Sequence, residues 1–118
     1  MEGILVVAHG SRRKETEDFF REMVCRAAEL SGREMVESAF MEFSETTIDK
    51  GLAVLAGRGA TQIKVVPYFL FEGMHIRRDI PGEIEKFSAQ NPNVEVIMDS
   101  IFGRDQRLTG ILADRMGR

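Results

Sequence analysis

Four short apolar runs, residues 3–8, 35–41, 63–66 and 94–98, alternate along the chain with segments of helical periodicity. A strand, a helix and a further parallel strand close a right-handed crossover, so this alternation leads to a parallel sheet with helices on both faces. The run at 3–8 is continuous and rich in β-branched residues, as a strand buried on both faces must be, and it is the expected central strand. The predicted fold is α/β, a flavodoxin-like three-layer sandwich around a four-stranded parallel sheet of order 2-1-3-4. With 118 residues the chain makes one domain, residues 1–118, because a second would lack the interior to bury a core.

The helices are read from their stripes and punctuation. From about 13 to 30, Phe19, Met23, Ala27 and Leu30 recur at helical spacing beside Phe20, Val24 and Ala28, and Ser31-Gly32 is the stop. Thr46, with Asp49 three residues later, resembles a capping box ahead of Ile48, Leu52 and Leu55, and Gly57 and Gly59 end that helix. Pro67 cannot donate a ladder hydrogen bond, so the third strand ends or bends there. Asp79 is the expected cap of a third helix, with Pro81 in its first turn and Ile80, Ile84 and Phe87 as its stripe. Leu108, Ile111, Leu112 and Met116 give the last helix an apolar face.

Composition excludes several function classes. Hydrophobic residues at 43% and charged residues at 30% are those of an ordinary globular chain. Sixteen basic against 19 acidic residues leave a formal charge of -3, so no global positive field recruits nucleic acid. The first apolar run is too short for a signal-peptide core or a membrane span, and the expected location is the cytoplasm. The single cysteine, Cys25, has no second thiol for a disulfide or a CxxC site and reads as an inert helical residue.

In sheets of this kind ligands bind beyond the carboxyl ends of the strands, near the point where strand order reverses. The only two histidines, His9 and His75, are both expected on post-strand loops, after the first and third strands, and Glu42 follows the second. Imidazole suits cobalt, nickel, iron, copper and zinc, and two nitrogens with one carboxylate leave positions open for a substrate. Arg12, Arg13 and Lys14 follow the His9-Gly10-Ser11 turn and Arg77 and Arg78 follow His75, so the site is locally basic in an acidic chain. Gly10 allows backbone amides to approach an anion. Tyr68, Phe69, Leu70, Phe71 and Met74 add an apolar wall, which together with the cations suits a large flat ligand bearing acidic substituents.

The stretches Val6-Val7-Ala8-His9-Gly10-Ser11-Arg12, Ala39-Phe40-Met41-Glu42, Val65 to His75 and Asp79-Ile80-Pro81 resemble the small, single-domain sirohydrochlorin cobaltochelatases and nickelochelatases of the class II tetrapyrrole chelatases. The resemblance runs over nearly the whole chain. It departs at Thr46-Thr47, where the family usually carries proline followed by serine or threonine.

This resemblance implies a chelatase-like half domain that inserts Co2+ or Ni2+, with Fe2+ a further candidate, into sirohydrochlorin, and that needs no organic cofactor. His9 and His75 match the family's metal-binding and catalytic histidines, and Glu42 an acidic position near the metal. Ser11, Arg12, Arg77, Arg78, Phe71 and Met74 are the expected substrate-binding set. Members about twice as long resemble two fused copies, so a homodimer is implied, with neither nucleic acid nor membrane as partner. A non-catalytic metal or tetrapyrrole carrier could use the same ligands. A histidine phosphatase would need an arginine before its histidine, where this chain has Ala8.

Overall fold

The computed structural model describes residues 1–118, with the side chain of every residue except His75. In chain order the elements are β1 (Glu2–Ala8), α1 (Lys14–Ser31), β2 (Val36–Phe40), α2 (Ile48–Gly57), β3 (Gln62–Pro67), α3 (Met74–Gln90), β4 (Glu95–Met98), a single 3-10 turn (Phe102–Arg104) and α4 (Arg107–Arg115). The strands form one parallel sheet in the order β2-β1-β3-β4, as expected. Val7 of β1 stands between Ala39 of β2 and Pro67 of β3, so the three strands that carry the post-strand loops end almost level.

Alternation sorts each strand between two faces. Leu5, Val7, Ile63 and Val65 are fully buried against Leu52 and Leu55 of α2 and Ile80 of α3, and this side is the main core. Ile4, Val6 and Val66 point to the other face, where α1 lays Phe20 and Val24 against Phe40 and Tyr68. The Phe20 ring meets those of Phe40 and Tyr68 edge-on, each at 5.5 Å between centroids.

The structure corrects four details of the sequence reading. In α1 the buried pair is Phe20 and Val24, whereas Phe19 is exposed and Leu30 is 91% exposed. Two overlapping stripes compete in that segment, and the sheet takes the one that meets Phe40 and Tyr68. The cap of α2 is Thr47 rather than Thr46, its hydroxyl donating to the Asp49 carboxylate, while the Thr46 hydroxyl accepts from Arg21 at 2.9 Å. His75 is not on a loop and Asp79 is not a cap: α3 begins at Met74, behind Gly73, so His75 lies in its first turn and Asp79 and Pro81 lie inside it. Pro81 lacks the N–H that would reach the Arg77 carbonyl, but both residues are exposed and water can take that bond. Lastly, the apolar residues of α4 are not buried.

Candidate metal and anion site at the strand ends

The turn after β1 is built around Gly10. Its φ of +104° is open to glycine, and a Cβ there would lie 2.0 Å from the Glu42 carbonyl oxygen. That close approach lets the pairing of β1 and β2 run past the strands: Met41 N–H donates to the Ala8 carbonyl and Glu42 N–H to the His9 carbonyl, each at 3.0 Å. The backbones so joined bring the side chains together. His9 Nε2 lies 3.8 Å from Glu42 Oε1, with both groups about half exposed or more. An exposed pair at this distance contributes little to stability, and its open geometry leaves both groups available to a ligand.

His9 and Glu42 form one wall of a cleft of about 460 Å3 at the carboxyl end of the sheet, and the opposite wall is α3, through Arg78, Asp79, Glu83 and Lys86. Asp49, in the first turn of α2, also lines it. The Thr47 hydroxyl holds the Asp49 carboxyl below its usual range, so it faces the cleft as a carboxylate. Among the described residues no three histidine, cysteine, aspartate or glutamate side chains are grouped as a complete metal site. The expected third ligand, the His75 side chain, lies outside the described residues; its backbone sits three residues before Arg78 in the same helix.

Of the predicted cations, Arg78 reaches this cleft. Ser11 and Arg12 border a neighbouring depression of about 660 Å3 with Phe43, Ser44 and Arg21. Arg77 lies 3.7 Å from Glu72, which also meets Arg104 at 3.4 Å; Arg13 pairs with Glu15, and Lys14 with Asp18. The basic rim therefore has internal partners at most positions. Phe71 and Met74 are strongly exposed on the segment leading into α3, Phe71 at 82%, and neither lines the cleft.

Asp49, Glu83 and Lys86 were missed by the sequence reading, as was Phe43. The α3 members follow a helical face, 79, 83 and 86, that becomes visible once the helix is started at Met74. Phe43 gives no sequence signal: it is the one non-glycine residue with positive φ, +61°, and its ring carries the Arg12 guanidinium 4.8 Å from its centroid. Left-handed backbone costs a bulky residue about 1–2 kcal/mol, and an exposed cation–π contact returns about 0.5–1 kcal/mol. Asparagine tolerates that backbone, so Phe43→Asn is expected to raise stability by about 0.5 kcal/mol, read as a higher denaturant midpoint. A loss above about 1 kcal/mol would mean that the Arg12 stack outweighs the strain.

In an open parallel α/β sheet the ligand crevice lies beyond the carboxyl ends of the strands, and here that edge carries a histidine and an acid from adjacent strands, faced by cations. The chain belongs to the CbiX family, whose profile matches residues 3–118. It is 36% identical over 116 residues to the sirohydrochlorin ferrochelatase of Priestia megaterium, covering 98% of this chain and 44% of that protein. It is 37% identical over 117 residues to the sirohydrochlorin cobaltochelatase of Sulfolobus acidocaldarius, covering 98% of this chain and 89% of that one. The structure of SirB from Bacillus subtilis with Fe3+ superposes with a TM-score of 0.89 at 30% identity, over 98% of this chain and 46% of SirB. The chain thus spans about half the length of the Priestia relative and of SirB, and most of the Sulfolobus relative.

Proposed function

We propose that this chain inserts a divalent metal ion, Co2+ or Ni2+ with Fe2+ as a further candidate, into sirohydrochlorin. The observation that carries the reading is the meeting of His9 and Glu42 from adjacent strand ends in a cleft whose far wall presents Arg78. The family membership and the activities named for the Priestia and Sulfolobus relatives support it. Insertion requires the ion to shed water, two pyrrole N–H protons to leave, and the macrocycle to bend so that its nitrogens reach the metal. In this reading His9 and His75 hold the ion and accept the protons as they are released, and Glu42 helps hold the ion by its charge. Arg78 grips a substrate carboxylate at the cleft. Arg12 and Arg77, with Ser11, Phe71 and Met74, contact the macrocycle periphery outside it.

The test is the absorbance change on mixing protein, metal and sirohydrochlorin, measured with cobalt, nickel, ferrous iron and zinc at matched free concentrations against the rate without protein. Borderline nitrogen and oxygen ligands discriminate weakly between cobalt and nickel, so both are expected to be inserted faster than without protein. Activity confined to zinc would overturn the assignment. Binding of metal and tetrapyrrole with no acceleration would make the chain a carrier.

A further inference from the structure

The loop from β2 to α2 holds a bulky residue in a conformation that bulky residues avoid. Backbone bonds close the loop at both ends: Phe40 N–H donates to the Thr46 carbonyl at 2.9 Å, and Glu42 N–H to the His9 carbonyl at 3.0 Å. Side chains hold the far end again, where Thr46 N–H donates to the Ser44 hydroxyl at 3.1 Å and Arg21 to the Thr46 hydroxyl at 2.9 Å. Between these fixed points the chain turns at residue 43, with a φ of +61°. Glycine and asparagine enter that region at little cost, whereas a side chain as large as phenylalanine is strained there.

The phenylalanine returns little to the fold. Phe43 is 50% exposed and belongs to neither apolar cluster of the interior. Its one ring contact among the described residues is the Arg12 guanidinium, 4.8 Å from the centroid. Phe19 and Phe71 are more exposed still, but Phe43 alone among the described non-glycine residues has a positive φ. Backbone strain that the structure imposes and the interior does not offset gathers at ligand sites. Here the position fits that expectation: Glu42 lines the cleft, and Phe43, the next residue, lines the neighbouring depression with Ser11 and Arg12.

Consecutive Cα atoms are about 3.8 Å apart, so a macrocycle that meets a metal ion at Glu42 extends over residue 43. Aromatic faces stack favourably in offset geometry, beyond what burial of their area contributes. The Arg12 guanidinium over the ring does not bar this. An exposed cation–π contact is weak, and a guanidinium bonds a carboxylate more strongly, through paired N–H donors.

We propose that the Phe43 ring is a platform on which the flat face of the tetrapyrrole stacks, and that Arg12 keeps the place until the substrate arrives. The macrocycle then takes the ring, and one of its carboxylates takes the guanidinium. The inference rests on the proposed function and adds to it a residue that selects a conjugated ring bearing acidic substituents. It also accounts for a phenylalanine where the backbone favours asparagine: the side chain is kept for the ligand at a cost to the fold.

The test is a titration of metal-free sirohydrochlorin, followed by its own absorbance, into the full chain and three variants. Phe43→Tyr keeps the ring, Phe43→Leu keeps apolar bulk and strain without a ring, and Phe43→Asn relieves the strain. The tyrosine variant is expected to bind within about twofold of the unaltered protein, and the other two about tenfold more weakly. A purely structural role predicts a different order, with asparagine binding best. Should the asparagine variant fail to fold, the comparison of leucine with tyrosine decides alone. Leucine binding as tightly as phenylalanine, or tyrosine falling with leucine, would overturn the proposal while leaving the chelatase reading in place. An unaltered protein that does not bind sirohydrochlorin would overturn both.

Discussion

His9→Ala is expected to lower the rate of metal insertion by about 10²–10⁴-fold, the range over which a positioned proton acceptor contributes, with the fold unchanged. His9 is exposed in the turn after β1 and supplies no core surface, so its removal should open no cavity and leave the fold intact. His75→Ala is expected to behave in the same way, because the resemblance gives it the same role at the start of α3. Glu42→Gln should cost less, since the amide keeps an oxygen donor while losing the charge. The measurement is the initial rate of the absorbance change at saturating metal, with circular dichroism as the control for folding. A His9→Ala protein with unaltered turnover would remove that side chain from the mechanism, whatever the metal.

Gly10→Ala is expected to be the most damaging small substitution near the site, lowering stability by about 3 kcal/mol through the cost of its positive φ and the displacement of a neighbouring backbone. The alanine methyl would stand 2.0 Å from the Glu42 carbonyl oxygen, which belongs to backbone and cannot swing aside as a side chain can. To make room, the segment at 42–43 must withdraw from the turn after β1, and the bond from Glu42 N–H to the His9 carbonyl breaks. Unlike His9→Ala, this change should reduce stability and insertion together, because the backbone contact that joins the two strands also brings His9 to Glu42. Thermal unfolding should show a midpoint lower by roughly 10 °C. An unchanged midpoint would mean that the turn can shift without cost and that Gly10 is not what sets the distance.

Much of the architecture was legible because its signals are local. The strand runs at 3–8, 35–41, 63–66 and 94–98 lie within a residue or two of β1 to β4, and the order of the sheet follows from their alternation with helices. His9 and Glu42 were placed at adjacent strand ends by the same reading, and the structure brings them to 3.8 Å. The start of α3 was not legible. Its cap is Gly73, which offers no side chain to announce a helix, while Asp79 and Pro81 imitate a start six residues later.

What the sequence by itself determined, then, is what periodicity encodes: which segments are strands and helices, their sequence along the sheet, and the edge where the turns carrying His9 and Glu42 gather. Only the tertiary structure decided which of two stripes α1 buries, which cations enter the cleft and which are taken by acids, and that α4 finds no place on its own sheet. Arg104 meets Glu72, 32 positions away, and Phe43 is held in a left-handed conformation under Arg12. Such pairings depend on distances between segments that are remote in the chain, and a hydrophobic or charged residue carries no mark of which neighbour the fold will bring to it.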